Sequence, residues 1–136
     1  MMNTPQKFAV SHLKEEDFKK DGLRSYATYR DLGFAKATHG LALAQVIRLL
    51  PPFDPEAAKL HLHNVDFQMV YVLKGWVRNH FEGEGEFVMK QGSSWIQPPG
   101  IKHAVLDWSD DVELLEIILP AEFTTETIES VNKIPL

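Results

Sequence analysis

The sequence predicts an all-β protein, folded either as a sandwich or as a closed barrel. Most of the chain consists of short β-prone runs separated by turns rich in glycine, proline and aspartate, a pattern typical of both architectures. Its 136 residues are 44% hydrophobic, which is enough apolar material for one domain with its own core. The chain has no internal repeat and no linker-like stretch. We therefore expect residues 1–136 to form a single domain, with the core barrel over about residues 40–120.

Composition and charge exclude several classes of partner. The chain has 14 basic and 19 acidic residues and a net charge of −5, whereas nucleic-acid binding requires a basic face. It contains no cysteine, so we expect neither disulfides nor thiolate chemistry. The N-terminal segment lacks the pattern of a signal peptide, and no apolar run approaches the ~18 residues of a membrane span. These features predict a soluble cytoplasmic protein with no nucleic-acid or membrane partner.

The predicted elements follow the chain in order. Residues 1–10 are expected to form a loose arm, and residues 11–20 a short helix with Ser11 as its N-cap. The density of prolines makes residues 51–55 a loop. Strands are predicted over residues 26–30, 41–48, 61–63, 68–73, 76–82, 86–90, 94–97, 102–107 and 112–119. A short C-terminal tail follows, with weak helical character around residues 125–131.

A pair of histidines marks the first candidate site, in the segment HLHNVDFQ at residues 61–68. Alternate side chains of a strand share a face, so His61 and His63 are expected to point the same way. A short polar turn follows them, and Gln68 then opens an apolar strand that ends at Gly75. Two imidazoles that converge with a third polar group across a hairpin can hold a metal ion.

A second motif, GSSWIQPPGIKH at residues 92–103, supplies the candidate third imidazole. Gly92 and Gly100 permit the positive φ of tight turns, and Pro98 fixes the approach to the bend. The strand that starts at His103 is then expected to point its first side chain inward. The conjunction of both motifs is far more specific than the histidine pair alone.

Together the two motifs resemble those of the cupin superfamily, G-x5-H-x-H-x3,4-E-x6-G and G-x5-P-x-G-x2-H-x3-N. The resemblance covers residues 55–107. It implies that the predicted barrel is the family's jelly roll, a double-stranded β-helix, here preceded by an arm and N-terminal strands. The sequence departs from the pattern at Pro55, Gln68 and Asp107, where the family has glycine, glutamate and asparagine.

The resemblance implies a divalent transition metal ion (Fe, Zn, Ni or Mn) held by His61, His63, Gln68 and His103. Neutral imidazoles suit several of these metals, and an amide oxygen is an adequate harder ligand. Glutamine in place of glutamate removes one negative charge, so the ion would be more electrophilic. Two interpretations of Gln68 stay open, either direct ligation or only the orientation of a water molecule.

Strand alternation predicts which other residues face the cavity. If Gln68 points inward, Val70 does so too, while Met69, Tyr71 and Leu73 point outward. An outward apolar triplet is expected to be covered, either by the N-terminal strands or by a second copy of the chain. The resemblance favours the second copy, because cupins are commonly dimeric, so we expect a homodimer.

A carboxylate on the last strand is the candidate catalytic residue. Leu114, Glu116 and Ile118 share one face of an otherwise apolar strand, so Glu116 is the odd residue and a candidate general base. An edge-exposed or salt-bridged glutamate is the alternative. Val70, Gln97 and Val105 are predicted to contact the substrate.

Three functions remain open at this stage. The first is an Fe(II)-type oxygenase acting on a small enolisable carbonyl or carboxylate compound, as in three-histidine cupins. The second is a non-oxidative isomerase or lyase of sugar acids, similar to uronate-linearising cupins, which share H-x-H-x4-Q. This chain lacks the aromatic residue and the arginine of their catalytic strand. The third is a non-catalytic barrel that binds a small molecule. The sequence ranks the oxygenase first.

Overall fold

Two five-stranded antiparallel sheets make up the computed structural model, which describes residues 5–20 and 24–128. The all-β jelly-roll prediction is confirmed. The described strands are β1 (Ala27–Asp31), β2 (Leu43–Leu49), β3 (His61–Asn64), β4 (Phe67–Lys74), β5 (Trp76–Phe81), β6 (Gly85–Lys90), β7 (Ser94–Ile96), β8 (His103–Trp108), β9 (Glu113–Leu119) and β10 (Thr124–Thr127). Nine of them match the predicted strands to within two residues at each end.

The strand order separates neighbours in sequence. One sheet has the order β1-β2-β9-β4-β7, and we call it the amide sheet because it carries Gln45, Gln68 and Glu116. The other sheet has the order β10-β3-β8-β5-β6, and we call it the histidine sheet because it carries His61, His63 and His103. β3 and β4 are joined by two residues and yet lie in different sheets. His61 and His63 on β3 and Gln68 on β4 therefore belong to different sheets although they are close in sequence.

Apolar side chains from both sheets fill the closed part of the barrel. Val72, Val77 and Val112 are fully buried there, and Trp108 packs on the ring of Tyr26 at a centroid distance of 5.5 Å. Val70 belongs to this buried cluster and also lines the cavity. The core therefore forms the floor of the cavity, and its burial stabilises the barrel without any ion.

The turn between β4 and β5 requires glycine. Gly75 has a φ of +70°, a conformation that side-chain-bearing residues rarely adopt. A Cβ at this position would lie 2.6 Å from Asp111 Oδ1, 3.0 Å from the Cα of Val112, and against Ser109 Oγ. The glycine that closes the first motif is thus fixed by close packing at the end of the barrel.

The predicted helix over residues 11–20 is wrong. The described part of this segment has only a 3-10 turn at Glu15–Asp17, because long-range contacts override its local propensity. Glu15 pairs with Arg48 Nη1 at 2.7 Å, and the Arg48 guanidinium also covers the ring of Phe18 at 3.7 Å. Lys19 then forms a β-bridge with Tyr29.

The described helices are short. They are α1 (Phe34–Ala37) and the 3-10 turns Glu15–Asp17 and Pro55–Ala58, and none of them has the length and apolarity to cross a membrane. The weak helical character assigned to residues 125–131 is wrong for the part that is described, because Thr124–Thr127 is a strand paired with β3. Residues 129–131 of that prediction lie outside the described residues.

The apolar triplet on the outer face of β4 is not covered by the N-terminal strands. Tyr71 and Leu73 are 40% and 39% exposed, because β1 and β2 lie at the far edge of the same sheet. Within the described residues, the N-terminal arm also leaves Phe8 93% exposed. The expected homodimer stays a prediction.

Candidate metal centre

The three histidines of the predicted site come together on the inner face of the histidine sheet. His61 and His63 lie two residues apart on β3, and His103 begins β8 directly opposite His61 in the antiparallel register. The ring centroids of His61 and His103 are 4.2 Å apart, and that of His63 lies 5.1 Å and 4.9 Å from these two rings, respectively. Their ligand atoms all lie within 4.8 Å of one another. Residues 40 positions apart in sequence thus form one cluster.

Hydrogen bonds to the Nδ1 atoms orient the three rings. His61 Nδ1 donates to the Lys59 carbonyl at 3.0 Å, and His103 Nδ1 donates to the Ile101 carbonyl at 2.9 Å. His63 Nδ1 shares a 2.8 Å hydrogen bond with Thr125 Oγ1, which β10 supplies. A ring that donates from Nδ1 presents a lone pair on Nε2, the arrangement found in most histidine metal ligands.

The histidines are held in the neutral form. Burial, followed by the effect of neighbouring His103, lowers the pKa of His61 and of His63 to about 3. Burial also lowers the pKa of His103, to about 4. At neutral pH the Nε2 lone pairs are therefore free of protons, which a metal ligand requires.

The opposite wall of the cavity carries two amides and a carboxylate, from which the amide sheet takes its name. Glu116 on β9 accepts a hydrogen bond from Gln45 Nε2 on β2 and another from Gln68 Nε2 on β4, both at 2.9 Å. Burial raises the pKa of Glu116, although these two hydrogen bonds act in the other direction. The alternative of an edge-exposed or salt-bridged Glu116 is wrong, because the side chain lines the cavity and both its partners are neutral.

This donor set fits a divalent transition metal ion. Three neutral imidazoles are arranged to ligate through Nε2, and Gln68 Oε1 makes no hydrogen bond to a described residue. Gln97 Nε2 lies 3.1 Å from His103 Nε2, so ion binding requires this amide to give up that contact. Ligation by Gln68, directly or through water, stays a prediction, as does the choice among Fe, Zn, Ni and Mn.

The metal cluster and the acidic wall share one cavity of about 760 Å³, within the usual range for small-molecule sites. The three predicted substrate contacts, Val70, Gln97 and Val105, all line it. Gln97 is held by Trp95, whose Nε1 donates to Gln97 Oε1 at 3.0 Å. Contact of these residues with a substrate stays a prediction.

Several residues that line this cavity were missed by sequence reasoning, and Gln45 is one of them. Gln45 was detectable as a lone amide in an apolar strand, and its register places it opposite Glu116. Thr125, Tyr29 and Arg24 also line the cavity. They belong to no recognisable motif. Only contacts between segments far apart in the sequence bring them to the site.

A jelly-roll barrel with a cluster of three imidazoles in its cavity defines a class of metal-binding β-barrels. Residues 51–118, half of the chain, match the family described as Cupin domain. The chain belongs to this family. A search of curated proteins found no matching relative.

Solved structures from several organisms are similar over most of the chain. KdgF from Halomonas sp. is 13% identical, with a TM-score of 0.58 over 81% of this chain and 94% of that one. The polyketide cyclase RemF from Streptomyces resistomycificus is 16% identical, with a TM-score of 0.65 over 88% and 85%. A predicted oxalate decarboxylase from Thermotoga maritima is 24% identical, with a TM-score of 0.55 over 69% and 80%. At these identities the similarity establishes the fold alone.

Proposed function

We propose that the protein is a metal-dependent enzyme that transfers protons on a small enolisable carbonyl compound without oxidation, as a lyase or isomerase. The placement of Glu116 carries this proposal. Its carboxylate stands on the cavity wall that faces the three imidazoles, oriented by Gln45 and Gln68. A carboxylate buried beside a candidate metal cluster is suited to general acid–base chemistry.

In this mechanism Glu116 takes the proton from the carbon next to the carbonyl, and the electron pair of that C–H bond moves toward the carbonyl oxygen. An ion held by His61, His63 and His103 would supply Lewis-acid polarisation of that oxygen. Glu116 then returns the proton at another atom, or a leaving group departs with the electron pair. The raised pKa of Glu116 supports this role, since an effective general base has a pKa near the working pH.

A dioxygenase is the second candidate, and the uncharged ligand set favours it. The histidines are neutral and Gln68 adds no charge, so the residues that would ligate leave a divalent ion its full charge. An anionic substrate oxygen would then be attracted to the site. The cavity is the same for both candidates, and they differ in whether dioxygen is consumed.

The test compares anaerobic turnover with oxygen uptake. Protein loaded separately with Zn(II), Ni(II), Mn(II) or Fe(II) is incubated with hydroxyketones, β-diketones and sugar acids, and products are followed by NMR. The proposal expects product without dioxygen and with a redox-inactive metal such as Zn(II). Turnover seen only with Fe(II) and with equal oxygen uptake would replace it with the dioxygenase.

Glu116→Gln sharpens this test. Loss of a general acid–base group is expected to lower kcat by about 10²–10⁴-fold with metal content unchanged. Glu113→Gln is the matched control, because Glu113 lies on the same strand but pairs with Arg48 at 3.0 Å outside the cavity. Equal activity of the two variants would remove Glu116 from the mechanism.

A further inference from the structure

Arg24 is a cavity residue that the proposed mechanism does not use. It lies just before β1 and lines the same cavity as the three histidines. Its Nη2 atom is buried and has no hydrogen-bond partner in the part of the chain that the structure describes. Among the described residues its side chain also forms no ion pair.

The other two arginines of the neighbouring strands are paired. Arg30 Nη2 donates to Ser11 Oγ at 2.9 Å, and Arg48 pairs with Glu15 at 2.7 Å and with Glu113 at 3.0 Å. A buried guanidinium nitrogen without an acceptor is costly, so native structures normally supply one. Arg30 Nε is also buried without a partner among the described residues, but neither Arg30 nor Arg48 lines the cavity. Arg24 therefore differs from both in presenting an unused donor to the cavity.

Arg24 lies close enough to the three histidines for its charge to act on them. It contributes to the lowered pKa of His61, His63 and His103, after the larger effect of burial. An ion bound by these histidines would place a second positive charge in the same cavity. Glu116, Asp17 and Asp31 also line the cavity, but none of these three pairs with Arg24. A ligand that carries negative charge would supply the acceptor that they do not.

We infer that Arg24 binds a carboxylate of the substrate, so that the substrate is a keto acid or a hydroxyketo acid. This inference rests on the proposed function for the carbonyl half of the molecule. The planar guanidinium offers paired N–H donors that match the two oxygens of a carboxylate. Arg24 would hold the acid group while the carbonyl faces the histidines and Glu116, and this fixes the orientation of the reacting carbon.

The experiment measures binding with a matched pair of probes. Levulinate and methyl levulinate share a ketone and a five-carbon chain, and only levulinate carries a carboxylate, which is too far from its ketone for a favourable chelate. Their affinities for Zn(II)-loaded wild-type protein and for Arg24→Met are measured by NMR titration. We expect Arg24→Met to weaken levulinate binding about tenfold or more, as for a lost charged hydrogen bond, and to leave methyl levulinate unchanged.

Two further variants complete the design. Arg24→Lys keeps the charge without the paired donors and is expected to retain part of the preference for levulinate. Arg78→Met removes an equal charge outside this cavity, where Arg78 pairs with Glu86 at 2.7 Å, and is expected to behave as wild type. Zinc content and thermal unfolding are measured on every variant to show that each is folded and loaded.

The inference is overturned if levulinate binds wild type and Arg24→Met equally, or if both probes lose affinity together. The readout needs no turnover, so it separates this inference from the proposed function. Absence of anaerobic product with Arg24-dependent levulinate binding would refute the reaction and leave the carboxylate site in place.

Discussion

The two sheets equip the cavity with opposite chemistry. The histidine sheet contributes three neutral imidazoles whose Nδ1 atoms are tied to Lys59, Ile101 and Thr125. The amide sheet contributes the hydrogen-bonded set Gln45, Gln68 and Glu116. One wall therefore offers lone pairs to a cation, and the other offers a group that exchanges protons.

In the proposed mechanism, the histidine sheet would bind the ion and the amide sheet would act on the substrate. The histidines converge because β3 and β8 are adjacent strands in one register. The hydrogen-bonded set of Gln45, Gln68 and Glu116 comes from three adjacent strands, β2, β4 and β9. In the sheet, Gln45 and Val70 both lie directly opposite Glu116. Because the two groups belong to different sheets, a substitution in one is expected to leave the other intact.

The largest expected effect is loss of the ion from the histidine sheet. His61→Ala and His103→Ala each remove one of three imidazoles, so metal affinity should fall by more than the roughly 10–100-fold cost of an outer-shell change. The barrel should remain folded, because its core is apolar and separate from the ligands. Metal content by mass spectrometry and unfolding by circular dichroism measure both.

His80→Ala is the control for these variants, since His80 lies on β5 of the same sheet but does not line the cavity. It should retain the wild-type amount of metal. Complete unfolding of His61→Ala or His103→Ala would contradict the comparison, because the ion would then be part of what stabilises the barrel.

A second prediction concerns pH, to which the two walls should respond with opposite signs. An unfolded histidine has a pKa of about 6.5, and burial holds the pKa of His61 at about 3. The unfolded chain therefore binds protons first, and the metal-free protein should lose stability as pH falls below 6.5. Glu116 has a raised pKa, so its contribution should be lost as pH rises above about 4.5, the value of an unfolded glutamate.

The measurement is denaturant unfolding of the metal-free protein between pH 5 and pH 6.5. Most carboxylates are already ionised in this interval, so the change in the free energy of unfolding comes mainly from the histidines. As pH falls from 6.5 to 5, the free energy of unfolding of wild type should decrease, and that of His61→Ala should decrease less steeply. Glu116→Gln removes the contribution that opposes the histidines in this interval, so its free energy of unfolding should fall more steeply than that of wild type as pH falls. A flat profile in Glu116→Gln would mean that the imidazoles are not held neutral.

The smallest effect is expected at Thr125, which orients a ligand without touching the ion. Thr125→Val removes the oxygen that bonds His63 Nδ1, so metal affinity should fall by about 10–100-fold with the fold retained. Thr127→Val on the same strand is exposed and serves as control. Competition with a fluorescent zinc chelator measures both, and equal affinities would show that the ring of His63 needs no such support.

The sequence was sufficient for the histidine sheet and less so for the amide sheet. His61, His63 and His103 were predictable because strand periodicity and fixed turn residues determine where they point. Glu116 was detectable as a lone carboxylate in an apolar strand. Its partner Gln45 and the Thr125 support were not predicted, because strand register between residues 71 and 62 positions apart fixes them. The helix expected over residues 11–20 failed for the same reason, since Arg48 anchors that segment.

The borders of the family match cut through the cavity. Residues 51–118 include the three imidazoles together with Gln68 and Glu116. Arg24, Tyr29, Gln45 and Thr125 line the same cavity from outside those borders. A fragment trimmed to the matched segment would keep the three imidazoles and Glu116 but lose Arg24, the residue we infer to bind a carboxylate. Two barrels with the same central segment can therefore differ in the ligands that they bind. The residues that determine this difference would lie in the segments before and after the matched one.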